Sequence, residues 1–429
     1  MSPAATDWFG QPRGLAILFC TEMWEKFSFY GMRALLVYYM TKHLLMPQDA
    51  ASLTYGAYTA FVYLTPIAGG IIADRWLGRR RAVVLGGSIM AAGHFMMAFE
   101  TLFFPALGVI ALGNGLFLPS LPSQIEDLYA PADARRASAY NIYYVGVNLG
   151  AFLAPLGCGY LGETYGWHWG FGAAGIGMVT GLIVYLAGSR YLPAERVRDK
   201  AEPTSDRAAG DAVRGRFAVL IAVMAAVVIF RTSYEQVGNT VALWIDQGVD
   251  RSIGDATIPM TWFQSLNPLL VFVLTPLLIL WWRTRDTGAS HSTARRMARG
   301  ATIVAGAYLL LVLVSLGAVG DARASWLWLA LFFAILTAGE LHILPVGLGL
   351  FGRLAPAGFA ATAIATWFFA GFAGNLLAGL FGTLWSRVEP ALFFGGAALL
   401  AAFSAALLTA LDGMVSRAEA SRDINWRMR

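Results

Sequence analysis

The stretch EMWEKFSFYGMRA, residues 22–34, places Glu22, Glu25, Lys26 and Arg33 inside an apolar run covering 15–44. Counted from Glu22, the four charges fall at offsets 0, 3, 4 and 11, with Phe29 at 7 and Tyr30 at 8. A helix puts all six on one face. The run is long enough to span a bilayer, which takes about 20 residues. A charge inside a span costs about 2.5–3.5 kcal/mol on insertion scales, so these side chains face a cavity or a partner rather than lipid. Two acids and two bases sum to zero, which makes a paired network feasible. Such a network either lines a pathway or locks helices together.

The rest of the 429-residue chain has the same character. It is 57% apolar and 13% charged, with a mean hydropathy of +0.59, against about 25% charged in a soluble domain. A water-soluble enzyme, a disordered chain and a nucleic-acid-binding protein are excluded. The two cysteines, Cys20 and Cys158, are too few for a disulfide scaffold or a cysteine-ligated metal cluster. Twelve hydrophobic segments follow one another at 15–44, 52–76, 80–101, 103–129, 139–162, 167–192, 217–247, 258–284, 297–318, 323–352, 358–386 and 388–414. The expected fold is therefore an all-α membrane protein of twelve transmembrane helices. The first 14 residues have no apolar core, so no cleaved signal peptide is expected.

The one clear break in composition is the polar stretch 193–216. It separates a six-helix bundle at 1–192 from a second at 217–429. With the N-terminus inside, 24 of the 31 Lys and Arg residues fall on the inner side, 4 on the outer side and 3 within spans. That asymmetry predicts that both termini are cytoplasmic. It also accounts for the pI near 9.2 without a polyanionic partner. A six-plus-six plan suggests two similar halves, and carriers built in this way hold their substrate at midplane between them.

Two further segments carry buried charge. In 217–247, Arg231 and Glu235 stand at i,i+4. Arg33 and Glu235 lie at similar depth, 19 and 18 residues from their inner helix ends, so an Arg33–Glu235 pair is expected beside the static Arg231–Glu235 alternative. A carboxylate that gains and loses an arginine partner changes its proton affinity. In 323–352, Glu340 lies near midplane, and His342, two residues on, points elsewhere as a packed histidine, as does His94. Metal-ligand spacing of the HExxH kind is absent, and no metal is expected. The loop GGIIADRWLGRRR, 69–81, offers glycines for close helix contact and an Asp74 able to cap or pair with Arg75, Arg79 or Arg80 around Gly78.

That loop resembles the G-x-x-x-D-R-x-G-R-R signature of the major facilitator superfamily, with one residue more before Gly78. Residues 22–34 resemble the E-x-x-E-R-F-x-Y-Y-G motif of the proton-dependent oligopeptide transporter (POT/PTR) family, and YNIYYVGVNLGAFLAP, 140–155, resembles its helix 5. YGWHWGFGAAGIGM (165–178), YEQVGN (234–239), IPMTWFQSLNP (258–268) and GELHILPVGL (339–348) resemble its helices 6, 7, 8 and 10. The resemblance implies the major facilitator fold and proton-driven import of di- and tripeptides by alternating access. Glu22, Glu25, Lys26 and Glu235 would couple to protons, with Lys26 where the family has Arg. Arg33 would meet the peptide carboxylate and Glu340 its amino group. Tyr30, Tyr63, Asn148, Asn267 and Trp367 would line the peptide, and Asp74, Arg75, Gly78, Arg79 and Arg80 would form the cytoplasmic gate loop. The proton would be the coupling ion, with no cofactor. A monomer in a bacterial inner membrane is expected.

The chain departs from the family at three places. GNGLFLPS, 113–120, has Leu118 where the family has a lysine thought to pair with the helix 10 acid. Phe29 stands for a tyrosine, and 193–216 is too short for the helix pair that many bacterial members insert. Either coupling then runs mainly through Glu235, or another small solute is carried on the same fold. A drug-exporting antiporter fits a site with Arg33 and Glu340 less well than a zwitterion does. An intramembrane enzyme lacks a nucleophile–base pair, and a channel does not need two halves.

Overall fold

The computed structural model describes residues 6–130, 133–193, 210–285, 292–318, 323–356 and 359–427. Most of the expected linker therefore lies outside the described residues. The helices run α1 Arg13–Tyr38, α2 Gln48–Ile72, α3 Arg79–Met96, α4 Phe103–Asp127, α5 Arg135–Ala154, α6 Tyr160–Tyr165, α7 Trp167–Ala187 and α8 Gly210–Tyr234. They continue with α9 Thr240–Gly248, α10 Leu266–Arg285, α11 Thr293–Gly317, α12 Trp326–Glu340, α13 Leu344–Leu354, α14 Ala360–Gly382, α15 Pro390–Ala410 and α16 Asp412–Arg427. Strands are confined to two- and three-residue pairings at loops. Among the described residues, ten helical segments are long and apolar enough to cross a membrane. The protein is a multi-pass helical membrane protein.

Punctuation in the sequence sets many of these boundaries. Gly78 (φ 77°) and Gly166 (φ 113°) adopt the left-handed backbone that other residues avoid, and they start α3 and α7. Pro155 has no N–H for the helical ladder, and the backbone widens into a π-turn over Pro155–Gly159 before α6. Ser292 and Ser325 cap α11 and α12 by accepting hydrogen bonds from the backbone N–H groups of Arg295 and Leu327. Two expected segments are each broken into two helices: 217–247 at Glu235–Gly238, and 323–352 after Glu340. α16 is an addition. The sequence reading stopped at 414, and this polar helix is fastened by Arg295 to Asp412 and by Arg353 to Glu419, at 3.1 Å for the latter.

The chain divides into two compact units. One comprises Met1–Met46, Phe61–Lys200 and Ser252–Phe272; the other comprises Pro47–Ala60, Ala201–Arg251 and Val273–Arg429. In the first, α1 packs on α5 and α7, and α3 on α4 and α7, around Leu18, Val83, Met90, Phe117, Leu121 and Met178. In the second, α11 packs on α12 and α15, and α8 on α14 and α15. The outward faces are apolar: Ile176 and Ile183 on α7, Leu309, Leu313 and Leu316 on α11, and Leu392, Leu399 and Phe403 on α15 are all exposed. In water such stripes would drive aggregation. In a bilayer they meet lipid, so helix association must come from close packing instead.

Glycine pairs supply that packing, and the same arrangement occurs in both units. A Cβ on Gly86 of α3 would lie 2.6 Å from the Gly113 carbonyl oxygen on α4, and one on Gly113 would lie 2.6 Å from the Gly86 oxygen. Gly300 of α11 and Gly339 of α12 oppose each other in the same reciprocal way, at 2.6 and 2.7 Å. Gly86→Ala must separate α3 from α4 and is expected to cost about 1–3 kcal/mol, the usual penalty of overpacking. Gly172→Ala, which meets nothing within 4 Å, is expected to leave stability unchanged. Thermal unfolding of both variants in detergent checks the contrast.

Candidate functional site

The stripe on α1 forms as its spacing predicts. Lys26 Nζ lies 2.7 Å from Glu25 Oε2 and 3.3 Å from Glu22 Oε1. Both carboxylates are buried, Glu25 completely. Tyr143 of α5, also buried, faces the two acids. Two acids share one cation, and among the described residues Glu22 Oε2 and Glu25 Oε1 accept no hydrogen bond, so the cluster has room for a proton. Farther along α1, Tyr30 and Arg33 are half-buried, with the Tyr30 ring against Phe29 at 5.2 Å. Tyr63 on α2, Asn267 on α10 and Leu118 on α4 are half-buried as well. Asn148 is buried and returns its amide to the Tyr144 carbonyl at 2.9 Å. Arg33, Tyr30, Tyr63, Asn148 and Asn267 all belong to the first unit.

In the second unit the charged residues stand at helix breaks. α8 ends at Tyr234, Glu235 opens a single 3₁₀ turn to Gly238, and Asn239 (φ −114°, ψ −93°) leaves helical geometry before α9. Arg231 Nη1 donates to Glu235 Oε1 at 2.9 Å, and both side chains are buried. Gln236 ties the break to its neighbours, donating to the carbonyls of Thr232 (3.0 Å) and Ala378 (2.9 Å). Glu340 is the last residue of α12, and after a three-residue turn α13 starts at Leu344, with Pro345 in its first turn. A carboxylate at the C-terminal end of a helix adds to the negative end of its dipole, a favourable place for a cationic group. His342 Nδ1 donates to the Ala338 carbonyl oxygen (2.8 Å), and the ring meets Trp282 edge-on, as a packed histidine should. Trp367 packs against Phe351 at 5.2 Å and over Gly347.

The two buried cations are held alike. A Cβ on Gly150 of α5 would lie 3.0 Å from the Lys26 Cβ and 2.1 Å from the carbonyl oxygen of Met23, three residues earlier. A Cβ on Gly374 of α14 would lie 2.5 Å from the Arg231 Cβ and 3.3 Å from the oxygen of Val228, also three residues earlier. Each cation thus lies in a glycine notch of the neighbouring helix and pairs with acid on its own helix. Nothing in the sequence reading singled out Gly150 or Gly374.

The gate loop differs in detail from its reading. Asp74 and Arg75 are exposed in a π-turn over Ala73–Leu77, and Gly78 is buried. Arg79 takes Asp127 as its carboxylate, at 2.8 Å, together with the Ser123 carbonyl, and Arg80 donates to the Ser189 carbonyl. The arginines therefore bind the ends of α4 and α7 rather than Asp74, because those ends present acceptors directly to α3.

Two latches were not read from the sequence. Glu163 of α6 accepts from the backbone N–H groups of Met260 and Thr261, each at 2.9 Å, and from the Thr261 hydroxyl at 2.6 Å. It caps the turn Met260–Ser265 that leads into α10. In the second unit, Gln48 donates to the Gly382 carbonyl at 3.0 Å, Ser52 donates to Asn239 Oδ1 at 2.9 Å, and Gly56 faces Gly379 at backbone contact. Partners 97 to 334 residues apart leave no periodic signal.

A multi-pass helical protein with paired ions buried at helix breaks is built as a secondary carrier, with interrupted helices supplying the site. The chain belongs to the POT family, whose family model matches residues 80–209 and 207–393. It is 30% identical to the peptide transporter YePEPT of Yersinia enterocolitica over 93% of this chain and 95% of that protein. It is 32% identical to a di-/tripeptide transporter of Lactococcus lactis over 84% of this chain and 87% of the relative. A crystal structure of a mutant peptide transporter POT in complex with sulfate superposes with a TM-score of 0.89 at 29% identity, covering 97% of this chain and 98% of that one. The fold is thus that of a major-facilitator-like membrane transporter, and the protein is a transporter rather than an enzyme.

Glu163→Ala leaves two backbone N–H groups and a hydroxyl without their acceptor. It is expected to cost about 1–3 kcal/mol and to speed amide hydrogen exchange across 260–265, with little change in α3 or α4.

Proposed function

We propose that the protein is a proton-coupled symporter that imports di- and tripeptides by alternating access. The observation that carries this reading is the placement of Glu340 at the negative end of a broken α12, while Arg33 lies half-buried on α1. A short peptide is a zwitterion, and these two side chains offer the opposite charge for each of its ends. The names of the Yersinia and Lactococcus relatives support the same substrate class. In this reading Arg33 holds the peptide carboxylate and Glu340 its amino group. Asn148 and Asn267 bond to the peptide backbone, Tyr30 and Tyr63 cover side chains, and Trp367 supports the wall from behind.

Proton coupling falls to the buried carboxylates. Glu235 is the main switch: its carboxylate pairs with Arg231, and a competing arginine, Arg33, alters that pairing as the carrier changes state. Glu22 and Glu25, two acids on one lysine, store the second exchangeable proton. Hydrogen bonds from Glu163 to the turn before α10 brace the first unit, those among Gln48, Ser52, Asn239 and Gly382 brace the second, and the Arg79 and Arg80 contacts fasten the ends of α4 and α7 to α3. The reading includes twelve spans, because α1 and α3 fall short of simple hydropathy only through their charges. It further takes 1–192 and 217–429 as the two bundles joined by 193–216, both termini in the cytoplasm, a bacterial inner membrane, a monomer, and no cofactor beyond the proton.

Uptake of labelled dialanine into proteoliposomes tests the function: accumulation should require an inward proton gradient. In Glu235→Gln, gradient-driven accumulation should fall about 5–150-fold, the usual span of a coupling free energy, while exchange of internal for external peptide persists. Retained accumulation would remove Glu235 from the coupling mechanism.

Arg33→Ala should weaken binding of dialanine roughly tenfold or more, the worth of a hydrogen bond to a charged group, and leave binding of its carboxyl-amidated analogue nearly unchanged. Equal losses for both ligands would show that Arg33 does not meet the carboxylate.

A further inference from the structure

Three side chains outside the transport site converge at one end of the first unit. His43 closes the π-turn Tyr39–His43 after α1, Glu100 opens the 3₁₀ turn before α4, and His168 is the second residue of α7. His43 Nε2 lies 2.7 Å from Glu100 Oε1. One ligand atom from each of the three residues lies within 4.8 Å of the other two. Aromatic contacts bring the two rings together. Tyr39, fully buried, stacks on His43 at 5.0 Å and 23°, and His168 meets His43 edge-on at 5.5 Å and Tyr39 at 6.4 Å.

We propose that His43, Glu100 and His168 form a binding site for one zinc ion. Two imidazoles and a carboxylate are a nitrogen–oxygen set suited to Zn²⁺ and unlike the all-oxygen shells of Ca²⁺ and Mg²⁺. Tetrahedral zinc with bonds of about 2.0–2.2 Å needs ligand atoms roughly 3.4 Å apart. The 2.7 Å contact would open slightly and the longer separations would close, both within the reach of side-chain rotation. Water would take the fourth position, since His168 and Glu100 are exposed. The ion would fasten the ends of α1, α4 and α7 to one another. The ligands come from three separate segments, so no spacing along the chain announces them. A plain His43–Glu100 ion pair would need neither His168 nor a metal, and this separates the two readings. The proposal is independent of which substrate is carried.

The test uses the full-length protein in detergent, purified without a polyhistidine tag and stripped with EDTA. Co²⁺ should develop the visible absorption of a low-symmetry nitrogen–oxygen site, and Zn²⁺ should displace it. Zn²⁺ should raise the unfolding temperature, as any ligand of the native state does. His43→Ala and His168→Ala should each weaken binding about tenfold or more while melting like wild type in EDTA, and Glu100→Gln should weaken it also. Asp49→Asn, a half-buried acid in the second unit, should bind as wild type. Undiminished Co²⁺ absorption in His168→Ala overturns the assignment. So does a wild-type protein in which Zn²⁺ produces neither displacement nor a melting shift, or one in which Mg²⁺ produces the same shift as Zn²⁺.

Discussion

Hydrocarbon cannot solvate an ionised side chain, and this constraint organises the interior of the protein. Breaking a buried pair by removing one partner costs about 3–5 kcal/mol, because the remaining charge has nowhere to go. Lys26 is accordingly gripped by Glu22 and Glu25, and Arg231 by Glu235. The two arrangements differ in number. Around Lys26 two carboxylates face one ammonium, so one acid is in surplus, whereas Arg231 and Glu235 face each other one to one across a single helical turn. Gly150 and Gly374 let the neighbouring helices close on the Cβ atoms of Lys26 and Arg231, where any larger residue would collide.

The helix breaks follow from the same constraint. An unbroken helix has no backbone groups to spare, whereas the last turn of an interrupted one ends in carbonyls without helical partners. Glu235 and Glu340 both stand at such ends. The break at Glu235 is stabilised by Gln236, which spends its amide on the carbonyls of Thr232 and Ala378. Irregular backbone at membrane depth is tolerable when protein groups satisfy it.

Much of this could be read from residues close together in the chain. The face of α1 was legible because Glu22, Glu25 and Lys26 repeat at helical spacing within an apolar run, and Arg231–Glu235 because i,i+4 needs no tertiary knowledge. The helix breaks were not legible. Gly238 and Pro345 flank them, but the apolar runs pass through unchanged, and Asn239 leaves helical geometry only in its tertiary setting. Glu163 was silent because its partner Thr261 lies 98 residues away. Asp74 was read as able to cap or pair with the arginines, yet Arg79 pairs with Asp127 and Arg80 donates to the Ser189 carbonyl, since an acid nearby in sequence is no nearer in space once α3 packs along α4. α16 lacks an apolar period, and its anchors on Arg295 and Arg353 lie far upstream.

The reciprocal pairs Gly86–Gly113 and Gly300–Gly339 bear on the history of the chain. The outward faces of these helices need only be oily, so mutation can exchange their leucines, isoleucines and phenylalanines almost freely, and any likeness between two copies of an ancestral segment would fade there first. A glycine facing a glycine is different. Neither can change alone without striking the other's carbonyl, and no third residue can relieve the collision. If the two halves descend from a doubled gene, the surviving record of that event is kept in empty spaces rather than in side chains, where alignment of letters is least able to find it.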